Sequence, residues 1–350
     1  MPGRKRVTWC RRGAVVRRGE GNGVAILTGA KTYFGSTTEL VQEAAPELHI
    51  EEVVGKVVRW LFVIVGALLS VVIVLSLIRG VPLVEMIPLM LVLLMSAVPV
   101  ALPVMLTVSV AVGSKELARR GVLVTRLSAA EDAATMDVLC VDKTGTVTMN
   151  QLAVTGVIPL EHATGSDVLF AGALAGADGL AEVYPEDKYT VVQHLQAAGH
   201  VTGMTGDCVN DAPALRQAEV GIAVSTTTDV AKGAASVVLT EAGLTNIVAL
   251  VEQGRTIYQR ILTWVINKIS RTILKAAFVA IAFVVTGKFV VSAFAMLLVF
   301  MTDFAKIALA TDHVRPSKKP ETWNIGGFIA VSVVLGVAML AEALLLLFVG

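Results

Sequence analysis

The sequence predicts a multi-pass α-helical membrane protein that carries a cytoplasmic, Rossmann-like α/β domain. Of its 350 residues, 55% are hydrophobic and only 16% are charged, which is typical of a membrane protein with a modest soluble portion. Several apolar stretches reach the length of about 20 residues that a membrane-spanning helix needs. Between them, residues 114–260 alternate short β-rich runs with helical patterns, and this alternation favours a doubly wound parallel sheet.

Five stretches are predicted to span the membrane. The third and fourth form a hairpin through a short turn, and basic residues lie near the amino terminus and after the fourth span. Because basic residues are enriched on the cytoplasmic side, this distribution also places residues 114–260 in the cytoplasm. The predicted spans are residues 57–78, 81–112, 261–286, 289–310 and 325–349.

Within residues 114–260, the apolar run 138–141 is predicted to be a strand, as are 220–224 and 236–239. Residues 188–198 have helical periodicity and end at Gly199. Residues 251–269 are predicted to form a long stalk helix that enters the membrane without a break. The net charge of +1 gives no reason to expect a nucleic-acid partner, and three scattered cysteines form neither a disulfide framework nor a metal spacing.

The first chemical motif is Asp-Lys-Thr-Gly-Thr-Val-Thr at residues 142–148. A carboxylate directly after a buried strand projects into the crevice where open α/β sheets place ligands, and it suits an aspartyl-phosphate nucleophile. Gly145 lets the backbone approach a phosphate, while Thr144 and Thr146 supply hydroxyl donors. The tripeptide Asp142-Lys143-Thr144 alone is a common turn, but the whole heptad after a strand favours the nucleophile.

A second motif, Met-Thr-Gly-Asp-Cys-Val-Asn-Asp-Ala-Pro-Ala-Leu, occupies residues 204–215. Asp207 and Asp211 offer hard oxygen ligands to Mg²⁺, and Asn210 can donate to a phosphoryl oxygen. The alternative is an acidic surface turn, although the proline after Asp211 fits a strand–loop–helix unit better.

These two motifs resemble the phosphorylation motif and the Gly-Asp-Gly-Val-Asn-Asp motif of P-type ATPases. Cys208 stands where that family has glycine, so a positive φ there would strain it by about 1 kcal/mol or more. Residues 185–188, Pro-Glu-Asp-Lys, resemble the family segment whose lysine neutralises the phosphoryl charge; the alternative for Lys188 is an ordinary exposed lysine at a helix start.

The resemblance implies a haloacid-dehalogenase-like phosphorylation domain that uses Mg²⁺ and ATP. The residues around the nucleophile would then be catalytic. Oxygen ligands from both motifs would bind the metal, and the residues just before the aspartates of the second motif would contact the cofactor. The implied sets are catalytic Asp142, Lys143, Thr144, Lys188 and Asn210, metal-binding Asp142, Thr144, Asp207 and Asp211, and cofactor-binding Thr205 and Gly206.

Two predicted spans carry candidates for an ion pathway. Pro99 and Pro103 lie four residues apart inside one span, and each frees a carbonyl one turn earlier. Such unwinding is tolerated only at a protein-lined or water-lined site. The alternative is a simple proline kink. Asp303 is a carboxylate inside another span, which marks a functional residue by default. It is otherwise a structural partner of Lys306 or Lys275.

The uncharged Pro-Val-Ala-Leu-Pro sequence and the segment Met-Thr-Asp-Phe-Ala-Lys resemble plasma-membrane-type proton pumps. The resemblance implies H⁺ as the transported cation, Asp303 as its carrier and Lys275 as a counter-charge. For Lys275 the alternative is snorkelling toward the interface. A plasma-membrane location and the lipid bilayer as surroundings follow from the same resemblance.

Compared with the family, the chain is expected to be truncated and internally deleted. Residues 1–50 are interpreted as an actuator remnant, 51–113 as family spans 3–4, 114–260 as a phosphorylation domain without its nucleotide-binding insertion, and 261–350 as spans 5–7. Three functions therefore compete: a cation-translocating ATPase with doubtful ATP turnover, a non-catalytic remnant or accessory protein, and a membrane-tethered hydrolase using Asp142 and Mg²⁺. A homo-oligomer or a complementing chain would be its partner.

Overall fold

The computed structural model describes residues 49–142, 183–241, 243–286 and 301–349, and the single positions 24, 26, 28 and 41. The chain divides into two compact units, Met1–Glu47 with Ala118–Ala249, and Leu48–Leu117 with Leu250–Gly350. Most of the predicted actuator remnant, Lys143, Thr144 and the turn at 287–288 lie outside the described residues.

The first unit contains a five-stranded sheet in the order β1-β5-β4-β3-β2. Four strands are parallel, as predicted, but β1 pairs antiparallel with β5 at the edge, so the sheet is mixed. Strand β1 was not predicted, because three apolar residues carry too little periodicity to identify a strand, and β3 was not among the predicted strands either. The strands are β1 Val122–Val124, β2 Val138–Val141, β3 Thr202–Gly206, β4 Val220–Ala223 and β5 Val237–Leu239.

Short helices connect these strands: α4 Ser128–Thr135, α5 Pro185–Ala197, α6 Ala212–Gln217 and α7 Asp229–Ala234. The start of α5 is well specified, since Pro185 suits the first turn and the Asp187 carboxylate accepts from the Tyr184 N–H at 3.0 Å. The helix is followed by Gly199 with a φ of +91°, a left-handed conformation that favours glycine. A buried core of Val192, Met204 and several alanines lies between α5, β3, α6 and α7.

The second unit is helical. Its helices are α1 His49–Ile78, α2 Leu83–Ala97, α3 Leu102–Arg119, α8 Thr245–Thr286 and α9 Ile325–Val349, and α3 and α8 extend into the first unit. In the described part of the chain, two segments are long and apolar enough to cross a membrane, Val54–Ile78 and Ile325–Leu347. The predicted span 261–286 is part of the continuous helix α8, which runs on from the predicted stalk, and most of 289–310 lies outside the described residues.

The predicted span 81–112 is broken. Helix α2 ends at Ala97 and α3 begins at Leu102, so the interruption coincides with the Pro99-to-Pro103 segment and agrees with the loss of helical hydrogen bonds at prolines. The helix before this break remains packed, since Met86 and Leu93 of α2 share a buried cluster with Ala276, Ala280 and Phe283 of α8.

Candidate functional site

Asp142 follows directly after β2, at the carboxyl end of the parallel part of the sheet. Val141 is paired with Thr205 of the neighbouring strand β3, and the Asp142 N–H donates to the buried Thr205 hydroxyl at 3.2 Å. The turn after β3, which carries Asp207 to Asp211, therefore ends at the same edge of the sheet as Asp142. Thr205 holds the backbone of the predicted nucleophile rather than facing open space.

Lys188 reaches this edge from the first turn of α5. Its Nζ lies 3.1 Å from Asp142 Oδ1 and 2.5 Å from Asp211 Oδ1. Burial disfavours the charged ammonium, but the carboxylates of Asp211 and Asp142 outweigh burial and raise the pKa of Lys188 above its usual value. The lysine is thus held as a cation between two carboxylates, and the alternative of an ordinary exposed lysine is wrong.

Asp211 is fully buried and its oxygens are occupied by the chain itself. Oδ1 accepts from Lys188, while Oδ2 accepts from the N–H groups of Asp207 and Cys208 at 3.1 and 3.2 Å. A Cβ at position 206 would lie 2.5 Å from the Asp211 Cβ, so only glycine fits there. Gly206 thus makes room for Asp211, and Asp211 anchors the turn.

Asp207 is the half-buried carboxylate of the same turn. Burial first, and then the charges of Asp211 and Asp142, raise its pKa. Asp142, Asp207, Asp211 and Lys188 sum to a formal charge of −2, which a divalent cation would neutralise. Ligand atoms of Asp207, Cys208 and Asp211 lie within 4.8 Å of one another. The charge and the oxygen atoms of the site therefore fit a hard divalent cation. Asp207 and Asp142 are the carboxylates that remain available to bind it.

Cys208 does not carry the strain that its replacement of a glycine led us to expect. Its φ is −128° and its ψ is 172°, an extended backbone conformation that any residue adopts. The thiol donates to Asp211 Oδ2 at 3.2 Å. Burial and the neighbouring Asp211 charge raise the pKa of Cys208 to about 12, so the thiol stays protonated. Asn210, in the same turn, is exposed.

The second unit holds a separate buried ion cluster around Asp303. Lys268 lies 2.7 Å from one carboxylate oxygen and Lys306 lies 2.8 Å from the other. Lys268 also donates to the Val98 carbonyl at 3.2 Å, which belongs to the break between α2 and α3. The carbonyl exposed beside Pro99 is thus bound by an ammonium group of the chain.

Of the two structural partners predicted for Asp303, the structure pairs it with Lys306, and in the described part of the chain its other ion-pair partner is Lys268 rather than Lys275. Lys268 was not among the predicted partners, and the role of Lys275 as a counter-charge stays a prediction. Lys268 and Lys275 are seven residues apart on α8, so they share a helix face about two turns apart. Periodicity could have proposed either lysine, but it could not choose between them.

No family model matches the chain. A protein of Methanocaldococcus jannaschii, provisionally named as a cation-transporting ATPase, is 25% identical over 521 residues; the match includes 97% of this chain, and the chain spans 65% of that protein's length. Two structures of a zinc-transporting PIB-type ATPase, in the E2P and E2.Pi states, have TM-scores of 0.56 and 0.50 at 19% identity, covering 80% and 88% of this chain and 67% of theirs.

These comparisons support the expected relationship to P-type cation-transporting ATPases, and with it a location in a membrane. At 19% identity the structural likeness is one of fold. The expected assignment to the plasma-membrane proton-pump subfamily receives no support from either comparison. Because the chain spans only 65% of the M. jannaschii protein, the activity of that whole protein does not transfer to it directly.

Proposed function

We propose that this chain is a P-type ATPase-like membrane protein whose Asp142 accepts a phosphoryl group. The observation that carries the proposal is the Lys188 ammonium held between Asp142 and Asp211, beside Asp207 at the carboxyl end of the sheet. A lysine 3.1 Å from the attacking oxygen offsets the charge of an incoming phosphoryl group, and such preorganised electrostatics are the main requirement for phosphoryl transfer.

In the proposed reaction, an oxygen of Asp142 forms a bond to phosphorus while the bond from phosphorus to the leaving oxygen of the donor breaks. The Thr205 hydroxyl holds the Asp142 backbone, and Asp211 holds Lys188 in place. A Mg²⁺ bound by Asp142 and Asp207 would shield the phosphoryl oxygens and the carboxylates from each other. Lys143, Thr144 and Asn210 remain predicted contributors; the first two lie outside the described residues.

We further propose that small phosphoryl donors, and not ATP, serve this chain. The match to the M. jannaschii protein extends over 521 residues, whereas 97% of 350 residues is about 340, so roughly 180 positions of that region have no counterpart here. This is more than the ~100–150 residues of a common domain, which fits the absence of a nucleotide-binding insertion. Without a surface for the adenosine, ATP would lose the positioning on which phosphoryl transfer depends.

Incubation of the purified chain with Mg²⁺ and labelled acetyl phosphate, or with labelled ATP, tests this proposal. We expect weak, Mg²⁺-dependent labelling by acetyl phosphate that Asp142→Asn abolishes and the surface variant Asp229→Asn leaves intact. Asp229 is fully exposed in the same unit, so it controls for loss of a carboxylate. No labelling in the unaltered chain would favour the non-catalytic alternative, and steady ATP hydrolysis lost in Asp142→Asn would contradict the restriction to small donors.

For the transported cation we propose H⁺, carried by Asp303. One carboxylate faces two ammonium groups at 2.7 and 2.8 Å, so the cluster has a net charge of +1 and repels a divalent cation. The unwound segment adds no thiol or imidazole of the kind that zinc prefers, and Lys268 already binds its Val98 carbonyl. A proton needs only the carboxylate itself, which becomes available to it when the ion pairs with Lys268 and Lys306 separate.

Calorimetric titration of the reconstituted chain with Zn²⁺ tests the choice of ion. We expect Asp303→Asn to leave the number of bound Zn²⁺ ions unchanged, because any Zn²⁺ would bind elsewhere. Loss of one stoichiometric Zn²⁺ in Asp303→Asn, with retained binding in a Glu342→Gln control on α9, would contradict the proton proposal.

We also propose a plasma-membrane location with the Asp142 unit in the cytoplasm, on the basis of the charge distribution around the spans. An impermeant maleimide applied to intact cells should then fail to label Cys140 and Cys208. Labelling of either cysteine before permeabilisation would contradict the proposed orientation.

A further inference from the structure

The segment between the 3₁₀ helix Lys306–Thr311 and α9 is basic and exposed. Arg315, Lys318 and Lys319 are all exposed, and in the described part of the chain no carboxylate lies within ion-pair distance of them. Together, residues 255–260 of α8 and 312–324 contain five basic and two acidic side chains, a net charge of +3.

This segment is fastened to α8 within the second unit. The Arg255 guanidinium donates to the Ser317 carbonyl at 3.0 Å, and the Tyr258 hydroxyl donates to the Thr322 carbonyl at 2.8 Å. The Tyr258 and Trp323 rings contact each other in a tilted arrangement, with centroids 4.4 Å apart and an interplanar angle of 51°. Further bonds join Gln259 to Glu321 at 2.6 Å and Arg260 to the Asp312 carbonyl at 2.9 Å.

These bonds determine how far the basic side chains lie from the membrane. The candidate span begins at Ile325, two residues after Trp323, and an aromatic pair at this position is typical of the membrane–water interface. Arg255 and Tyr258 are three residues apart on α8, about 4.5 Å along the helix axis. Ser317 and Thr322 are therefore bonded to positions of α8 about one helical turn apart, a separation along the helix that is less than the Debye length of about 8 Å at physiological salt.

The local backbone holds the lysines at this level. The Ser317 hydroxyl donates to the Lys319 carbonyl at 2.9 Å and accepts from the Lys319 N–H at 3.1 Å, so residues 317–319 form a compact turn rather than an extended arm. The positive charge is consequently presented near the predicted headgroup layer with little freedom to move away.

We infer that Arg315, Lys318 and Lys319 form a binding surface for the headgroups of anionic phospholipids in the adjoining leaflet. The complementary charge, the bonds to α8 and the interfacial aromatic pair all point to lipid phosphate and carboxylate groups. The inference needs only the membrane location and is independent of the phosphorylation and transport proposals.

The test is lipid selectivity of the reconstituted chain. In a variant with Trp9, Trp60 and Trp264 replaced by Phe, Trp323 is the remaining tryptophan, and its quenching by brominated phosphatidylserine is compared with quenching by brominated phosphatidylcholine. We expect stronger quenching by phosphatidylserine at low salt. The triple variant Arg315→Gln, Lys318→Gln, Lys319→Gln should lose this preference, by up to about fivefold for each charge removed.

A charge-preserving variant, Arg315→Lys, Lys318→Arg, Lys319→Arg, is the matched control and should keep the preference. Because Trp264 is fully buried and its replacement can disturb folding, native mass spectrometry of lipids retained on the chain with all its tryptophans gives a second measurement. Equal quenching by the two lipids and equal retention would overturn the inference. So would an unchanged phosphatidylserine preference in the neutralised variant, since the basic residues would then serve only to orient the chain during insertion.

Discussion

Replacement of Lys188 by Met gives the sharpest test of how the Asp142 site is held together. The change keeps much of the apolar stem but removes the ammonium that binds two carboxylates, one of which is fully buried. Leaving a buried charge without its partner costs about 3–5 kcal/mol. The Lys188 side chain keeps 18% of its exposure, so we expect the lower end, about 3 kcal/mol.

Hydrogen exchange measured by mass spectrometry reports this loss of stability for individual peptides of the chain. A reduction of about 3 kcal/mol in the free energy of opening corresponds to roughly a hundredfold faster exchange in peptides that cover β2, β3 and the turn at 207–211. Lys232→Met is the matched control, since Lys232 pairs with the fully exposed Asp229 at 3.5 Å. Its removal should change exchange by less than about fivefold, as for an exposed pair.

A double variant separates charge from packing. Lys188→Met combined with Asp211→Asn leaves no uncompensated charge at position 211, so it should exchange more slowly than Lys188→Met alone. If Lys188→Met and Lys232→Met exchange at the same rate, the buried ion pair does not stabilise the site. If Asp211→Asn fails to restore protection, the loss reflects packing of the lysine stem.

Three further predictions concern other groups. Burial and the neighbouring Asp132 raise the pKa of Glu131 to about 8, so the folded unit holds a proton that the unfolded chain loses above about pH 4.5. The free energy of unfolding should therefore fall on the order of a few kcal/mol between about pH 4.5 and about pH 8. Melting curves of Glu131→Gln should lose this part of the pH dependence. Cys208→Gly should lower stability by about 1 kcal/mol or less, because the extended backbone is unstrained; a gain in melting temperature would contradict this. Lys268→Met should speed exchange around residues 97–101 more than Lys275→Met does, because only Lys268 binds the Val98 carbonyl there, and equal effects would refute the assignment.

Much of the candidate site could be predicted from local sequence. The strand before Asp142 and the helix after Tyr184 depend on neighbours within a few residues; the strand forms where predicted, and the helix predicted for 188–198 runs from Pro185 to Ala197. The break near Pro99 was equally predictable because a proline lacks a donor wherever it occurs. Strand β1 could not be found in this way, since its pairing with β5 joins residues more than one hundred positions apart.

The sequence by itself determined which chemical groups the protein carries: a carboxylate after a strand, a pair of aspartates four residues apart, and one carboxylate in an apolar segment close to Lys306. Only the tertiary structure decided which of these groups bond to one another and which remain available to a ligand. In the structure, both carboxylate oxygens of Asp211 accept hydrogen bonds from Lys188 and two backbone N–H groups, while the Asp207 carboxylate remains available to a cation. Asp303 pairs with Lys268 rather than with Lys275. Ion pairs form within about 4 Å, and a distance of that size between residues 23 or 35 positions apart is set by chain closure and packing, which no local pattern encodes.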